Sequence, residues 1–287
     1  MSNELHYEVK TERREGVTRD LPEGDADLRW VANTSTLIWG ERDAVLVDTF
    51  TTAEQNERLI EWIRAHGRTL TAVYLTHGHG DHAFGVGALR TAFPDARILA
   101  TEGTIAELRI QAEPAYLAGF WEKLFPGQIP TVEFPQALDV DHFDLEGNEL
   151  SVIEAGHTDT EGTTSLWVPN LGLIVGGDVV YNATYPYLAE TTPETRQNWI
   201  AALERLKALH PSFVVSGHKQ PQNGDSPADI DATIQYLQDV DEIAGTSADA
   251  LDFYRQLLVK QPGRTNVGSA WATAKLIKGA PVGGQSA

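Results

Sequence analysis

Short apolar blocks and polar breaks alternate along most of the chain, and their order predicts the elements. Residues 36–39 and 44–48 are apolar and β-branched, and the polar triplet Glu41-Arg42-Asp43 between them turns a hairpin. Over 51–66 the apolar residues Leu59, Ile60 and Ile63 fall at helical spacing, with Gly67 just past the end. Residues 70–75 read as a buried strand, a helix then runs to about residue 93, Pro94-Asp95 breaks it, and 97–100 is a further strand. After a stretch of different character come four short strands at 139–144, 149–154, 163–168 and 171–176. The turn residues Glu146-Gly147-Asn148 and Pro169-Asn170 separate them. A helix over 195–210 sets Trp199, Leu203, Leu206 and Leu209 on one side, between Pro193 and Pro211. One more strand, 212–216, precedes helices at about 228–244, 248–260 and 268–278. Strands then helices in the first half are therefore echoed by strands then helices in the second. The first 28 residues are polar and read as a loosely held arm with one short strand, another strand is expected at 28–32, and 279–287 reads as a frayed end.

The stretch from 104 to 134 mixes helical spacing with Tyr116, Phe120, Trp121 and Phe125, then Pro126-Gly127 and Pro130. Its aromatics suit ordinary core packing, and a lid over a neighbouring site is the other reading. No repeat or low-complexity linker divides the chain, so the expected organisation is one domain over 1–225 and a helical extension over 226–287 that packs on it.

Composition narrows the function. The chain has 22 basic against 41 acidic side chains, a formal charge of −19, which argues against nucleic acid or an anionic membrane as a partner. With no cysteine there is no disulfide, thiolate ligand or thiol nucleophile. No run of about 18 apolar residues is present. The first residues lack the basic and apolar regions of an export signal, so a cytoplasmic protein is expected. Oligomeric state is left open, a homodimer included.

The chemistry concentrates in Thr76-His77-Gly78-His79-Gly80-Asp81-His82, three imidazoles and a carboxylate at the end of the strand 70–75. These donors suit Zn²⁺ or a similar first-row cation. Three further residues share the context of following both a glycine and an apolar strand: His157 in Gly156-His157-Thr158, Asp178 in Gly177-Asp178, and His218 in Gly217-His218. One such residue is usually only a turn residue; three in succession point to one site. His6, His66, His142 and His210 lack that context and read as surface or structural. Five histidines and two aspartates suffice for two metals if one carboxylate bridges, and Asp178 is expected to be that one.

These motifs together resemble the metallo-β-lactamase-fold hydrolases, with His-x-His-x-Asp-His at 77–82 followed in order by Gly-His-Thr, Gly-Asp and Gly-His, over roughly 28–220. The resemblance implies an α/β fold, a four-layer αβ/βα sandwich, here with a helical C-terminal extension. It also implies a ligand set: His77, His79 and His157 on a first metal, Asp81, His82 and His218 on a second, and Asp178 between them. Two Zn²⁺ per chain are implied, with iron or manganese as alternatives. Tyr181 lies three residues after Asp178, the offset at which lactonases of this fold carry a tyrosine thought to assist the carbonyl oxygen. After Gly156-His157-Thr158, lactonases and glyoxalase II-like thioesterases usually carry Pro-Gly, whereas this chain has Asp159-Thr160-Glu161-Gly162.

The expected activity is hydrolysis of an ester-like bond in a small molecule. A hydroxide held between the metals attacks the carbonyl, and Asp81 orients it and passes a proton to the leaving group. A lactone or simple carboxylic ester is the first expectation for substrate, ahead of a β-lactam or thioester. The alternatives are a phosphoesterase, an iron-dependent redox enzyme of the same fold, and a non-catalytic metal-stabilised binding module.

Overall fold

The computed structural model describes residues 4–13, 21–22 and 32–278. Most of the strand expected at 28–32 and the tail 279–287 lie outside them. The chain order is β1 (His6–Glu12), β2 (Asn33–Trp39), β3 (Asp43–Val47), α1 (Ala53–Ala65), β4 (Thr69–Tyr74), α2 (Gly80–Ala83), α3 (Val86–Ala92) and β5 (Arg97–Ala100). Then come α4 (Glu102–Gln111), α5 (Pro114–Tyr116), a π-helical turn (Leu117–Trp121), α6 (Glu122–Leu124), β6 (Gln136–Ala137), β7 (His142–Leu145), β8 (Asn148–Gly156) and β9 (Thr163–Val168). The chain closes with β10 (Leu173–Asn182), α7 (Pro193–Lys207), β11 (Phe213–Lys219), α8 (Ala228–Thr246), α9 (Ala250–Lys260) and α10 (Val267–Ile277).

The strands form a single curled sheet in the order β6-β5-β4-β3-β2-β11-β10-β9-β8-β7, with β1 paired to β2. The seam is thin. Strands β2 and β11 meet through one residue pair, Asn33 opposite His218, so the two halves of the sheet can fold over each other. Strand period decides the layers. On β3, Val45 and Val47 point into the core between the two halves, while Ala44 and Leu46 point out to a second core under the helices. Across the fold, Leu173 and Val175 of β10 join the inner core and Ile174 joins the outer one. The result is helices, sheet, sheet, helices, the four-layer sandwich.

Helices α8, α9 and α10 share one core with the second half of the sheet: Tyr236, Leu237, Phe253, Tyr254 and Ala270 cluster with Ile174, Val179 and Val214. The starts of helices α1 and α7 are set by their caps. Thr52 and Thr192 each accept from the backbone of the residue three ahead in a capping box, which satisfies N–H groups that α1 and α7 would otherwise leave unpaired.

Three expectations change. The N-terminal arm is not loosely held over its first strand, because β1 pairs with β2 along seven residues; its period-2 polarity was hidden by charged side chains on the outer face. The strand expected at 171–176 runs on as β10 to Asn182, and that at 212–216 runs on as β11 to Lys219. Asp178 and His218 therefore sit inside bulged strand ends and not in turns after them. The glycines that looked like strand stops are bulge residues, and the β10–β11 register shifts between Val175 and Gly177 and again before Tyr181.

Candidate metal centre

The loop 76–82 leaves β4 and enters the short helix α2, so its side chains are thrown to the rim of the curled sheet, at the seam between its halves. Asp48, at the end of β3 with φ 61°, fixes the loop's first residue. Its carboxylate accepts from the Thr76 backbone N–H and from the Thr76 hydroxyl, each at 2.8 Å. The glycines that precede ligands have a spatial cause. A Cβ on Gly217 would lie 2.1 Å from Asp178 Oδ1, and one on Gly177, at φ +52°, would lie 2.3 Å from Thr76 Oγ1.

Overlapping groups of donors gather there, and two of them, all buried, hold six of the expected ligands. In the first, ligand atoms of His77, His79, Asp159 and Asp178 lie within 4.8 Å of one another; in the second, those of Asp81, His82 and His218 do. Asp178 reaches both. Its Oδ1 is 3.3 Å from His82 Nε2 and its Oδ2 is 3.2 Å from His218 Nε2. Asp81 Oδ2 is 3.4 Å from His218 Nε2, and the Asn33 amide donates to the same oxygen at 2.9 Å. Of the seven residues expected as ligands, six are brought together. His157 is not. Its Nδ1 pairs with Glu161 at 2.8 Å and its Nε2 with the Glu190 backbone carbonyl at 2.9 Å, on the partly exposed side of its loop.

Asp159 stands in the first group instead, and sequence reading missed it. Asp48, Asn33 and Glu190 were missed as well. Glu190 sits 3.2 Å from His79 Nε2 and accepts from the Thr160 hydroxyl at 2.6 Å. The only sequence signal for Asp48 was a carboxylate at the end of an apolar strand, the same context that singled out the others.

The carboxylates of the site hold protons on His79 and His82, protons that a bound cation would displace. Burial, then the charge on His82, pushes His77 down, so it is a neutral imidazole. Burial opposes charge on His79 and His82 too. It is outweighed at His79 by Asp159 and Glu190, and at His82 by Asp178 and Asp81, and both are held well above the usual histidine range. Asp178 is held well below the usual carboxylate range, His218 and His82 overriding its burial. Burial, then the Asp178 charge, raises the Tyr181 phenol well above its usual value, so it stays a donor. It donates to Asp178 Oδ2 at 2.8 Å, and its ring stacks on His218.

The residues fit a metal. His77 Nε2, Asp159 Oδ2 and Asp178 Oδ1 are fully buried and make no hydrogen bond in the structure. Each such atom costs about 1–3 kcal/mol unless something else satisfies it. Imidazole and carboxylate donors converging on one point suit a divalent first-row cation.

A pocket opens above the donors. His79, Asp81, Asp178 and His218 form part of its floor. Tyr116, Phe120 and Trp121, from the segment after α4, and Tyr187, before α7, form an aromatic wall. Asn266 and Ser269, at the start of α10, complete the rim. The segment is anchored by a relay, Trp121 donating to Gln111 and Gln111 to Glu107, each at 2.9 Å. No lysine or arginine is among the described residues that line this pocket.

A curled α/β sandwich with a His/Asp centre at its rim defines a class of metal-dependent enzymes, and comparison with known proteins agrees. The model of the Metallo-beta-lactamase superfamily matches residues 28–218. The chain belongs to that superfamily, whose members are metal-dependent hydrolases. It is 24% identical over 177 residues to a hydroxyacylglutathione hydrolase of Prochlorococcus marinus, a match spanning 59% of each protein, so the chain covers about three-fifths of that relative's length. Among solved structures it is similar to a metallo-beta-lactamase family protein from Thermus thermophilus, with TM-score 0.65 and 19% identity over 92% of this chain and 91% of that one. It is also similar to a metallo-beta-lactamase from Pontibacter korlensis, with TM-score 0.58 and 19% identity over 80% and 99%. At that identity the structural likeness speaks for the fold. Among the described residues, no helix is long and apolar enough to cross a membrane.

Proposed function

We propose that the protein is a two-metal hydrolase of neutral, apolar carboxylic esters or lactones, with zinc as the resident cation. The observation that carries this is Asp178, whose two oxygens face the histidines of the second donor group while the carboxylate also belongs to the first. A pair of divalent cations, when bound, polarises a carbonyl and acidifies a water towards neutrality.

The chain's own residues divide the remaining work. Asp178 bridges the two groups, and Tyr181 keeps it oriented through the 2.8 Å bond. Because its phenol stays protonated, Tyr181 holds one proton that it can turn from Asp178 to charge that develops on a carbonyl oxygen. Asp81, buried and held by Asn33, has a carboxylate at the pocket floor to hold a proton and deliver it to the leaving group. The aromatic wall excludes water from the reacting centre and gives an acyl chain or ring a surface to rest on.

The pocket lining also orders the substrates. A glutathione thioester, a β-lactam carboxylate and a phosphate ester all bring negative charge. Beyond the metal centre itself the lining offers it no lysine or arginine, and Glu107 and Glu190 stand close to His79. A neutral ester or lactone meets no such opposition. The test is a panel of lactones, aryl esters, thioesters and β-lactams assayed with zinc-loaded protein. Turnover of the neutral esters or lactones at least about tenfold above the anionic substrates is expected, and no turnover of any carbonyl substrate would overturn the reading.

A further inference from the structure

We infer that Asp159, and not the neighbouring His157, is the third side chain that holds the cation of the His77/His79 group. The inference rests on the two-metal reading above and assigns one of its ligands.

The geometry separates the two candidates. Asp159 is fully buried, and its two oxygens have different jobs. Its Oδ1 accepts from the Thr158 hydroxyl at 2.9 Å. Its Oδ2 is 2.9 Å from His79 Nδ1 and 3.9 Å from His77 Nε2, yet makes no hydrogen bond of acceptable geometry. Two donor atoms that share one cation, each about 2.1 Å from it, lie roughly 3.0–3.4 Å apart at octahedral to tetrahedral angles. Buried donor atoms gathered at this spacing without hydrogen bonds among them suit a shared cation. Anchoring of one oxygen by a neighbouring hydroxyl, with the other left to ligate, is the usual arrangement of a metal-bound carboxylate.

His157 is committed elsewhere. Both of its ring nitrogens are engaged, with Glu161 and with the Glu190 carbonyl, and its side chain keeps 23% exposure. Glu190 ties this arrangement together, because its carboxylate also meets His79 and Thr160. Turning His157 inward would break both of its hydrogen bonds and displace the segment that holds His79. The local chain makes the alternative easy. Gly156 at φ +80° swings the strand end, and the Thr158 N–H bonds back to the Thr160 carbonyl at 2.9 Å, so that residue 159, two further on, is the one that points at the metal centre.

The consequence is chemical. The donor set then holds three carboxylates, Asp81, Asp159 and Asp178, and the loaded centre carries one formal positive charge fewer than with histidine there. A harder donor also moves the first position's preference from zinc towards manganese or iron.

Metal content of purified protein, stripped with chelator, reloaded with Zn²⁺ and dialysed, tests this, with circular dichroism to confirm folding. Wild-type protein and His157→Ala are expected to retain two cations per chain, and Asp159→Asn only one. The first-site affinity of Asp159→Asn should fall by more than the roughly 10–100-fold that loss of an outer hydrogen-bond partner costs. Asp159→His, which restores a donor, should recover the second cation and favour Zn²⁺ over Mn²⁺ in competition more strongly than the wild type does. Loss of one cation in His157→Ala together with full retention in Asp159→Asn would overturn the assignment and leave the two-metal reading standing. Failure of the wild-type protein to bind any divalent cation would overturn both.

Discussion

Tyr181 shows what a single residue contributes. It is buried, protonated, hydrogen-bonded to Asp178 and stacked on His218, so it can act on charge at the metal centre without being a ligand. Tyr181→Phe is expected to lower kcat for an ester about 10²–10³-fold, the loss seen when one donor to a developing oxyanion is removed, with KM and metal content little changed. A fall in metal content of the same size would limit Tyr181 to supporting Asp178 and contradict its part in the reaction. The glycines make a second point at this scale. Gly217→Ala forces a Cβ against Asp178 Oδ1, and part of the obstacle is the Gly177 and Asp178 backbone. The expected outcome is protein that loses its metal first and shows a lower Tm, measured by thermal melts with and without zinc. The six expected residues that gather at the centre were legible from the density of the 77–82 motif, which gave His77 and His82, and from a preceding glycine at His79, Asp81, Asp178 and His218. Asp159 was not legible. It directly follows the more conspicuous Gly-His-Thr, two residues after His157, and only the left-handed Gly156 and the Thr158 turn decide which of the two side chains points inward.

Among elements, α4 and the aromatic segment after it are the part that sequence periodicity left most ambiguous. The spacing mixes α-helical, π-helical and broken stretches, so no single period describes it. Contact decides its place. A Cβ on Gly78 would lie 2.5 Å from the Leu108 backbone nitrogen, so α4 packs directly on the metal loop. Trp121 is 2% exposed, bonded to Gln111, and packed on Phe84 while it lines the pocket. Trp121→Ala is expected to destabilise the protein by about 3–5 kcal/mol through the cavity it leaves. It should also raise KM for apolar esters more than it changes kcat, read from urea unfolding and steady-state kinetics. An unchanged KM would show that substrate does not rest on this wall. The β elements were more legible, since a short apolar, β-branched block between turn residues marks a strand buried on both faces, as on β3. Their ends were not, because a bulge carries glycine just as a turn does.

At the scale of the molecule, the family resemblance implied a sandwich and the sequence's coarse symmetry agreed with it, but the way its halves join was legible in neither. The ladder pair at the seam is Asn33 with His218, and both residues belong to the metal centre. The fold therefore closes where the chemistry sits, and metal removal should loosen the junction as well as abolish activity. Stability against pH has a second source away from the centre. Burial raises Asp229 to about 6, although the Asn182 amide donates to it at 2.7 Å and opposes the shift. A carboxyl whose folded pKa exceeds its unfolded one binds its proton more tightly when folded, so its contribution weakens as pH rises from about 4 through about 6. Asp229→Asn keeps an acceptor for Asn182 and no longer titrates. Its stability relative to wild type should therefore rise over that window and level off above it, measured by urea midpoints from pH 4 to 8. A constant difference would contradict the assignment.

The central claim is that two cations held by this centre make the chain an ester hydrolase. The most direct measurement is a titration of metal-free protein with Zn²⁺ while the hydrolysis of a neutral aryl ester or lactone is followed. Activity should climb and reach its plateau at two equivalents per chain, and chelator should abolish it. A plateau at one equivalent, or zinc bound at two equivalents without turnover of any ester or lactone, would contradict the account.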